Sequence, residues 1–181
     1  EMVGAFSIYA NKGVYNAPMM VTKIEDKYGN VLANFYPESR EVITENTAFL
    51  MANLLQGVVD EGTGRRLRFR YGFKNQIGGK TGTTQNHSDG WFIGITPDLA
   101  GGVWVGAEDR SIHFQNLANG QGASMALPIW ALFMQKVYAD KSLAVPQSDF
   151  QKPNGVNHVL DCGDADREGM TDYDSSDEIF D

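Results

Sequence analysis

Residues 76–84 read Gln76-Ile77-Gly78-Gly79-Lys80-Thr81-Gly82-Thr83-Thr84, and the fold turns on whether they run extended or curl around a phosphate. Gly79-Lys80-Thr81 has the outline of a phosphate-binding loop, but that loop needs a glycine five positions before the one adjoining the lysine. Position 74 is Lys74, so the nucleotide reading fails at a backbone position it requires. What remains is a strand, in which small and β-branched residues lie flat even though glycine weakens the propensity. Two apolar runs follow, Trp91 to Thr96 and Gly102 to Ala107, joined by Pro97-Asp98-Leu99-Ala100. Short continuous apolar runs separated by a turn predict an antiparallel pair covered on both faces, with Trp91, Phe92 and Trp104 in the core.

On either side of these strands the spacing becomes helical. Met2, Ala5, Phe6, Tyr9 and Ala10 recur at helical intervals before a Lys12-Gly13 stop, so the chain is expected to enter in mid-helix. Val21, Thr22, Ile24, Val31 and Leu32 flank Lys27-Tyr28-Gly29-Asn30, the pattern of a hairpin. Thr44 can cap a helix carrying Ala48, Met51, Ala52, Leu55, Val58 and Val59 on one face and ending near Gly62-Thr63-Gly64. A last helix is expected from about Leu127 to Tyr138, with Pro128 in its first turn and Leu127, Trp130, Ala131, Met134 and Val137 on the buried stripe. This order predicts an α/β chain of the α+β type, an antiparallel sheet packed with helices.

Length and charge set the outer limits. The 181 residues suit one domain or part of one. The formal charge of -8 is unevenly placed: residues 1–160 carry 14 charges of each sign, whereas 161–181 carry one arginine and nine acids. A neutral body lacks the basic field of a nucleic-acid binder. The expected division is therefore 1–140 as the folded part, 141–160 as an irregular extension and 161–181 as an acidic, flexible tail. Cys162 alone cannot form an intrachain disulfide and is expected to be a free thiol. With His87, His113 and His158 scattered, it offers no metal-ligand spacing. No run of about 18 apolar residues exists to span a membrane. The start at Glu1 suggests an excised piece, with any membrane anchor left behind.

Lys80-Thr81-Gly82 on a strand is also the third element of the serine acyl-transfer enzymes whose other elements are S-x-x-K and S-D-N. Its surroundings make the signal specific. Glu1-Met2-Val3-Gly4-Ala5-Phe6 leads to Ala10-Asn11-Lys12-Gly13, followed by Val58-Val59-Asp60-Glu61-Gly62-Thr63-Gly64 and Gly79-Lys80-Thr81-Gly82-Thr83-Thr84. Then come Asp89-Gly90-Trp91-Phe92-Ile93-Gly94-Ile95-Thr96-Pro97, Val103-Trp104-Val105-Gly106 and Ala126-Leu127-Pro128-Ile129-Trp130. In order and spacing, residues 1 to about 138 resemble the C-terminal part of the transpeptidase domain of class A, bifunctional penicillin-binding proteins of the 1A type.

That resemblance implies an incomplete penicillin-binding protein and serine β-lactamase-like fold. It implies a serine enzyme that cross-links peptidoglycan stem peptides at D-Ala-D-Ala, is acylated by β-lactams, and needs no metal or organic cofactor. Lys80 would supply positive charge at the reaction centre, Thr81 and Thr83 hydroxyl hydrogen bonds to the substrate carboxylate, Gly82 room for the substrate backbone, and the Thr83 N–H half of an oxyanion hole. None of the nine serines has Lys three positions later or Asn two positions later, so the nucleophile is expected in an upstream segment, in the same protein or a separate chain. The implied location is the periplasmic face of a bacterial inner membrane, reached only through an absent N-terminal anchor. The alternative is a non-catalytic binding or assembly module of the same fold.

Three other features carry two readings each. Arg65, Arg66, Arg68 and Arg70 are expected on a solvated strand or loop rather than a nucleic-acid stripe. Gly62-Thr63-Gly64 ends a helix or forms a turn at the active-site wall. His87 and Asp89 line the cleft or cap a loop.

Overall fold

A computed structural model describes residues 1–156. Helix α1 (Met2–Ala10) stops where Lys12 and Gly13 take left-handed φ values of 55° and 92°. Gly13 is fixed twice over, by that φ and because a Cβ there would lie 2.0 Å from the Ile43 carbonyl oxygen. Strands β1 (Val14–Asn16) and β4 (Ser39–Glu41) pair antiparallel and enclose the hairpin of β2 (Lys23–Glu25) and β3 (Val31–Asn34). The hairpin turn is held by the Asp26 carboxylate, which accepts from the Tyr28 and Asn30 N–H groups at 2.8 and 2.9 Å. The β1–β4 pair has no apolar signature, since β4 is Ser-Arg-Glu and exposed throughout.

Helix α2 (Glu45–Asp60) begins at Thr44, whose hydroxyl accepts from the Thr47 N–H at 3.2 Å, and buries Ala48, Ala52, Leu55 and Val59. After the short helix α3 (Arg66–Phe69) come β5 (Gly78–Thr83), β6 (Asp89–Ile95) and β7 (Ala100–Gly106), an antiparallel sheet in the order β5-β6-β7. A helical turn, α4 (Leu117–Gly120), leads into α5 (Gly122–Ala139).

The core lies between the sheet and α5. Trp130 meets Phe92 edge-on, with ring centroids 5.4 Å apart, and Val59, Leu67, Phe73, Ile77, Leu127 and Met134 close around them. Gly94 makes the fit possible, because a Cβ there would sit 2.5 Å from the Trp130 ring. On the other face Val3 of α1 lies over Gly102. Helix α2 is drawn against β5 by Leu55 over Gly78 and Val59 over Gly79. Residues 141–156 return without helix or strand, and Phe150 packs beside Ala52, Leu55 and Ile95.

The mixed architecture is the expected one, with four corrections. Helix α5 starts five residues before Leu127, so Pro128 lies in its interior. Gly122-Ala123-Ser124 looks like loop punctuation, but these small residues let the helix approach the sheet, where a Cβ on Gly122 would sit 2.4 Å from the Gly82 carbonyl oxygen. Strand β7 is an edge among the described residues, and α1 covers only part of its second face, where Gly102 and Trp104 stay exposed. Only Phe92 of the three strand aromatics is core: Trp91 and Trp104 are 39% and 48% exposed and lie against each other, with centroids 6.4 Å apart. A continuous apolar run conceals this, because both faces look alike in sequence.

The arginine stretch is the fourth correction, since it is a helical turn anchored into the body. Leu67 is wholly buried, and Arg66 Nη1 donates to the Ala123 carbonyl at 3.0 Å and to Ser124 Oγ at 2.8 Å. Arg68 pairs with Asp60 at 2.6 Å and donates to the carbonyls of Phe73 and Asn75. Only Arg65 and Arg70 are solvated. The acidic tail from Asp161, His158 and Cys162 lie outside the described residues.

Candidate active site

Among the described residues strand β5 pairs with β6 along one side only, in the register Lys80↔Ile93, Thr81↔Phe92, Gly82↔Trp91 and Thr83↔Gly90. Just beyond it, the Thr84 N–H donates to the Asp89 carbonyl at 3.1 Å, which puts Thr84 on the paired side. Backbone groups alternate along an antiparallel strand, so the Thr83 N–H and the Thr81 and Thr83 carbonyls face the open edge. The lysine confirms this: Lys80 Nζ reaches round the strand to the Thr81 carbonyl at 2.7 Å.

Side chains alternate as well. Thr81 and Thr83 stand on the α5 face, where Thr83 Oγ1 accepts from the Gly122 N–H at 3.0 Å and Thr81 Oγ1 lies 2.8 Å from Thr63 Oγ1. Lys80 and Gly82 belong to the opposite face, and all of residues 80–84 border one hollow of about 370 Å³ that Met2, Phe6, Trp91 and Ile93 also line. Lys80 is exposed and forms no ion pair among the described residues. The open edge therefore offers an ammonium, two hydroxyls and an outward N–H within four residues of chain. Every one of these can donate to an anion or a strained carbonyl oxygen.

The neighbouring features divide differently from their sequence spacing. Asp89 caps a loop: its carboxylate accepts from Thr84 Oγ1 at 2.9 Å, Ser88 Oγ at 3.0 Å and Trp104 Nε1 at 3.0 Å. The Thr84 bond first, then the Trp104 bond, hold its carboxyl below the usual range against a raising effect of burial, with smaller help from the Ser88 bond and Arg110. His87 follows Asn86 in the left-handed region, with φ values of 55° and 59°, and packs against Gly120 rather than into the hollow beside Lys80. Gly62-Thr63-Gly64 ends α2, as one of its two readings has it, and brings Thr63 within hydrogen-bond distance of Thr81.

Three contacts have no local sequence signal: Thr63 to Thr81, Gly122 to Thr83 and Trp104 to Asp89. Each joins residues at least 15 positions apart. A second cavity, between α1, α2 and residues 148–151, holds no comparable set of free donors, for its Lys12 is paired with Glu45 at 3.1 Å. Among the described residues no cluster of three or more metal-ligating side chains occurs, and no helix is long and apolar enough to cross a membrane.

Residues 1–123 match the family described as the penicillin binding protein transpeptidase domain. The chain belongs to that family. This transpeptidase segment is 33% identical over 153 residues to penicillin-binding protein 1A of Aquifex aeolicus, covering 84% of the chain and 20% of the relative. It is 32% identical over 166 residues to penicillin-binding protein 2D of Bacillus subtilis, covering 88% and 22%. The chain thus spans about a fifth of the length of these curated relatives. The crystal structure of penicillin-binding protein 1A from Haemophilus influenzae superposes with a TM-score of 0.72 at 24% identity, over 84% of this chain and 27% of that one. PBPA from Mycobacterium tuberculosis gives 0.54 at 19% identity, over 75% and 31%. The fold is that of penicillin-binding protein transpeptidases, and the 1A-type relatives agree with the class A resemblance.

Proposed function

We propose that this segment forms the substrate-binding wall of a serine D,D-transpeptidase that cross-links peptidoglycan stem peptides and is acylated by β-lactams. The observation that carries it is the open edge of β5, with its outward Thr83 N–H, two threonine hydroxyls and the Lys80 ammonium, which has no ion pair among the described residues. A stem peptide ending in D-Ala-D-Ala is an extended chain with a terminal carboxylate. It adds to the edge as a further strand, held by backbone hydrogen bonds. Its carboxylate accepts hydrogen bonds from the Thr81 and Thr83 hydroxyls in the field of Lys80, where exclusion of water strengthens the attraction.

The scissile carbonyl then lies beside the Thr83 N–H. Attack by a serine hydroxyl forms the C–O bond, moves the carbonyl electron pair onto oxygen and passes the serine proton to a base. The Thr83 N–H, with the N–H of the nucleophile itself, stabilises that oxyanion, and such a donor is worth about 10²–10³ in rate. Collapse breaks the amide C–N bond, and terminal D-Ala leaves as the protonated amine. The amine of a second stem peptide then takes the acyl group. A β-lactam follows the first half, except that the broken amide belongs to its ring and the leaving nitrogen stays attached.

No serine here has the lysine spacing of a nucleophile, so the reading requires one from an upstream segment of the same protein or a second chain. Periplasmic work at the inner membrane, through an anchor outside this segment, completes the proposal. The same missing motif favours one other reading, a non-catalytic assembly module. Fluorescent penicillin separates them. The 181-residue chain alone should remain unlabelled, and the parent protein that includes an upstream S-x-x-K should be labelled. A parent protein that resists labelling supports the module, and labelling of the isolated chain at one of its own serines removes the need for an upstream nucleophile.

A further inference from the structure

We infer that Thr63 is a positioning residue, which holds the Thr81 hydroxyl ready to donate to an anionic substrate end; this rests on the substrate-wall reading of β5. Thr63 Oγ1 lies 2.8 Å from Thr81 Oγ1. That distance is set by backbone on both sides. The turn carrying Thr63 is wound onto its own helix, with the Gly62 N–H bonded to the Gly57 carbonyl at 3.0 Å and the Gly64 N–H to the Val58 carbonyl at 2.8 Å. Both flanking glycines are crowded, since a Cβ on Gly62 would sit 2.9 Å from Val58 Cα and one on Gly64 3.1 Å from the Val58 oxygen. The helix is in turn seated on β5 through Leu55 over Gly78 and Val59 over Gly79. Thr63 itself is exposed, so packing does not explain a threonine there.

The chemistry follows from counting protons. A hydroxyl has one proton and two lone pairs, so of two hydroxyls 2.8 Å apart only one donates to the other. With an anion at the edge, the Thr81 proton goes outward, and Thr63 turns its own proton onto Thr81 Oγ1. Thr83 shows the same arrangement in fixed form: its Oγ1 accepts from the Gly122 backbone N–H, which has no other role to switch to, and its proton is left to give. Both threonines of the wall therefore receive a hydrogen bond from the protein and have one proton to send to substrate. Donation into a hydroxyl polarises its O–H, which strengthens the forward bond in a chain of this kind.

The test is a double-mutant cycle in the parent protein carrying the nucleophilic serine, with benzylpenicillin acylation as readout. Thr63→Val should lower the acylation rate constant about fivefold to twentyfold, within the coupling range of directly bonded neighbours. Thr63→Ser, which keeps the hydroxyl, should restore it, and Thr63→Val should cost nothing further in a Thr81→Val background. Full activity of Thr63→Val while Thr81→Val is impaired overturns this inference alone. So do additive losses, or a loss that Thr63→Ser fails to restore. Full activity of Thr81→Val overturns the substrate-wall reading beneath it.

Discussion

Asp89 draws three side chains onto one carboxylate at the first residue of β6, three residues before the buried Phe92, and its charge is part of how the loop after β5 holds its shape. Hydrogen bonds from Thr84 and Trp104 depress its pKa, so it stays ionised in the folded chain to lower pH than in the unfolded one. The stabilisation is therefore fully present above the unfolded carboxyl value of about 3.9, and is lost as pH falls through the lower folded value. The melting temperature of Asp89→Asn should lie below that of the native chain at pH 7, and the two should converge as pH drops below about 4. A gap that stays constant from pH 7 to 3 would show that the charge is not what holds the loop. Sequence alone left Asp89 between cleft and loop because its decisive partner, Trp104, is 15 residues away on another strand.

Helices and strands show which patterns carry information about burial. Helix α2 is readable because cap, stripe and glycine stop coincide, each local. The four arginines of 65–70 are indistinguishable in sequence, yet α3 turns two inward. Arg68→Ala strands the carbonyls of Phe73 and Asn75 and should cost about 1–3 kcal/mol in urea unfolding. Arg70→Ala, at an exposed position, should stay within about 0.5 kcal/mol of the native chain. Equal effects would mean that the anchoring contacts contribute nothing. At the sheet–α5 contact, Gly94→Ala forces a methyl to within 2.5 Å of the Trp130 ring and should destabilise by about 1–3 kcal/mol. An undisturbed midpoint would show that α5 does not press on β6 there.

For the molecule as a whole, the sheet order and the extended course of β5 are legible in residues 76–107, because a failed phosphate loop leaves an extended segment and turn residues separate the runs that follow. What could not be read is what each face of the sheet meets. Trp91, which lines the hollow at Lys80, and Trp104 against it lie partly open in a chain that spans about a fifth of its relatives' length, and an apolar run looks the same whether its cover is near in sequence or far away. The donors of β5 carry a signal in their residue types, but the groups bonded to them, Thr63 and the Gly122 N–H, come from other elements and emerge only in three dimensions.

The claim on which the rest depends is that the open edge of β5 stabilises the acylation transition state, with Lys80 as its charge. The second-order rate constant for benzylpenicillin acylation of Lys80→Ala, in the parent protein bearing the nucleophilic serine, measures this directly. The expected result is a loss of about 10²-fold or more at an unchanged melting temperature. An unchanged rate constant would contradict it.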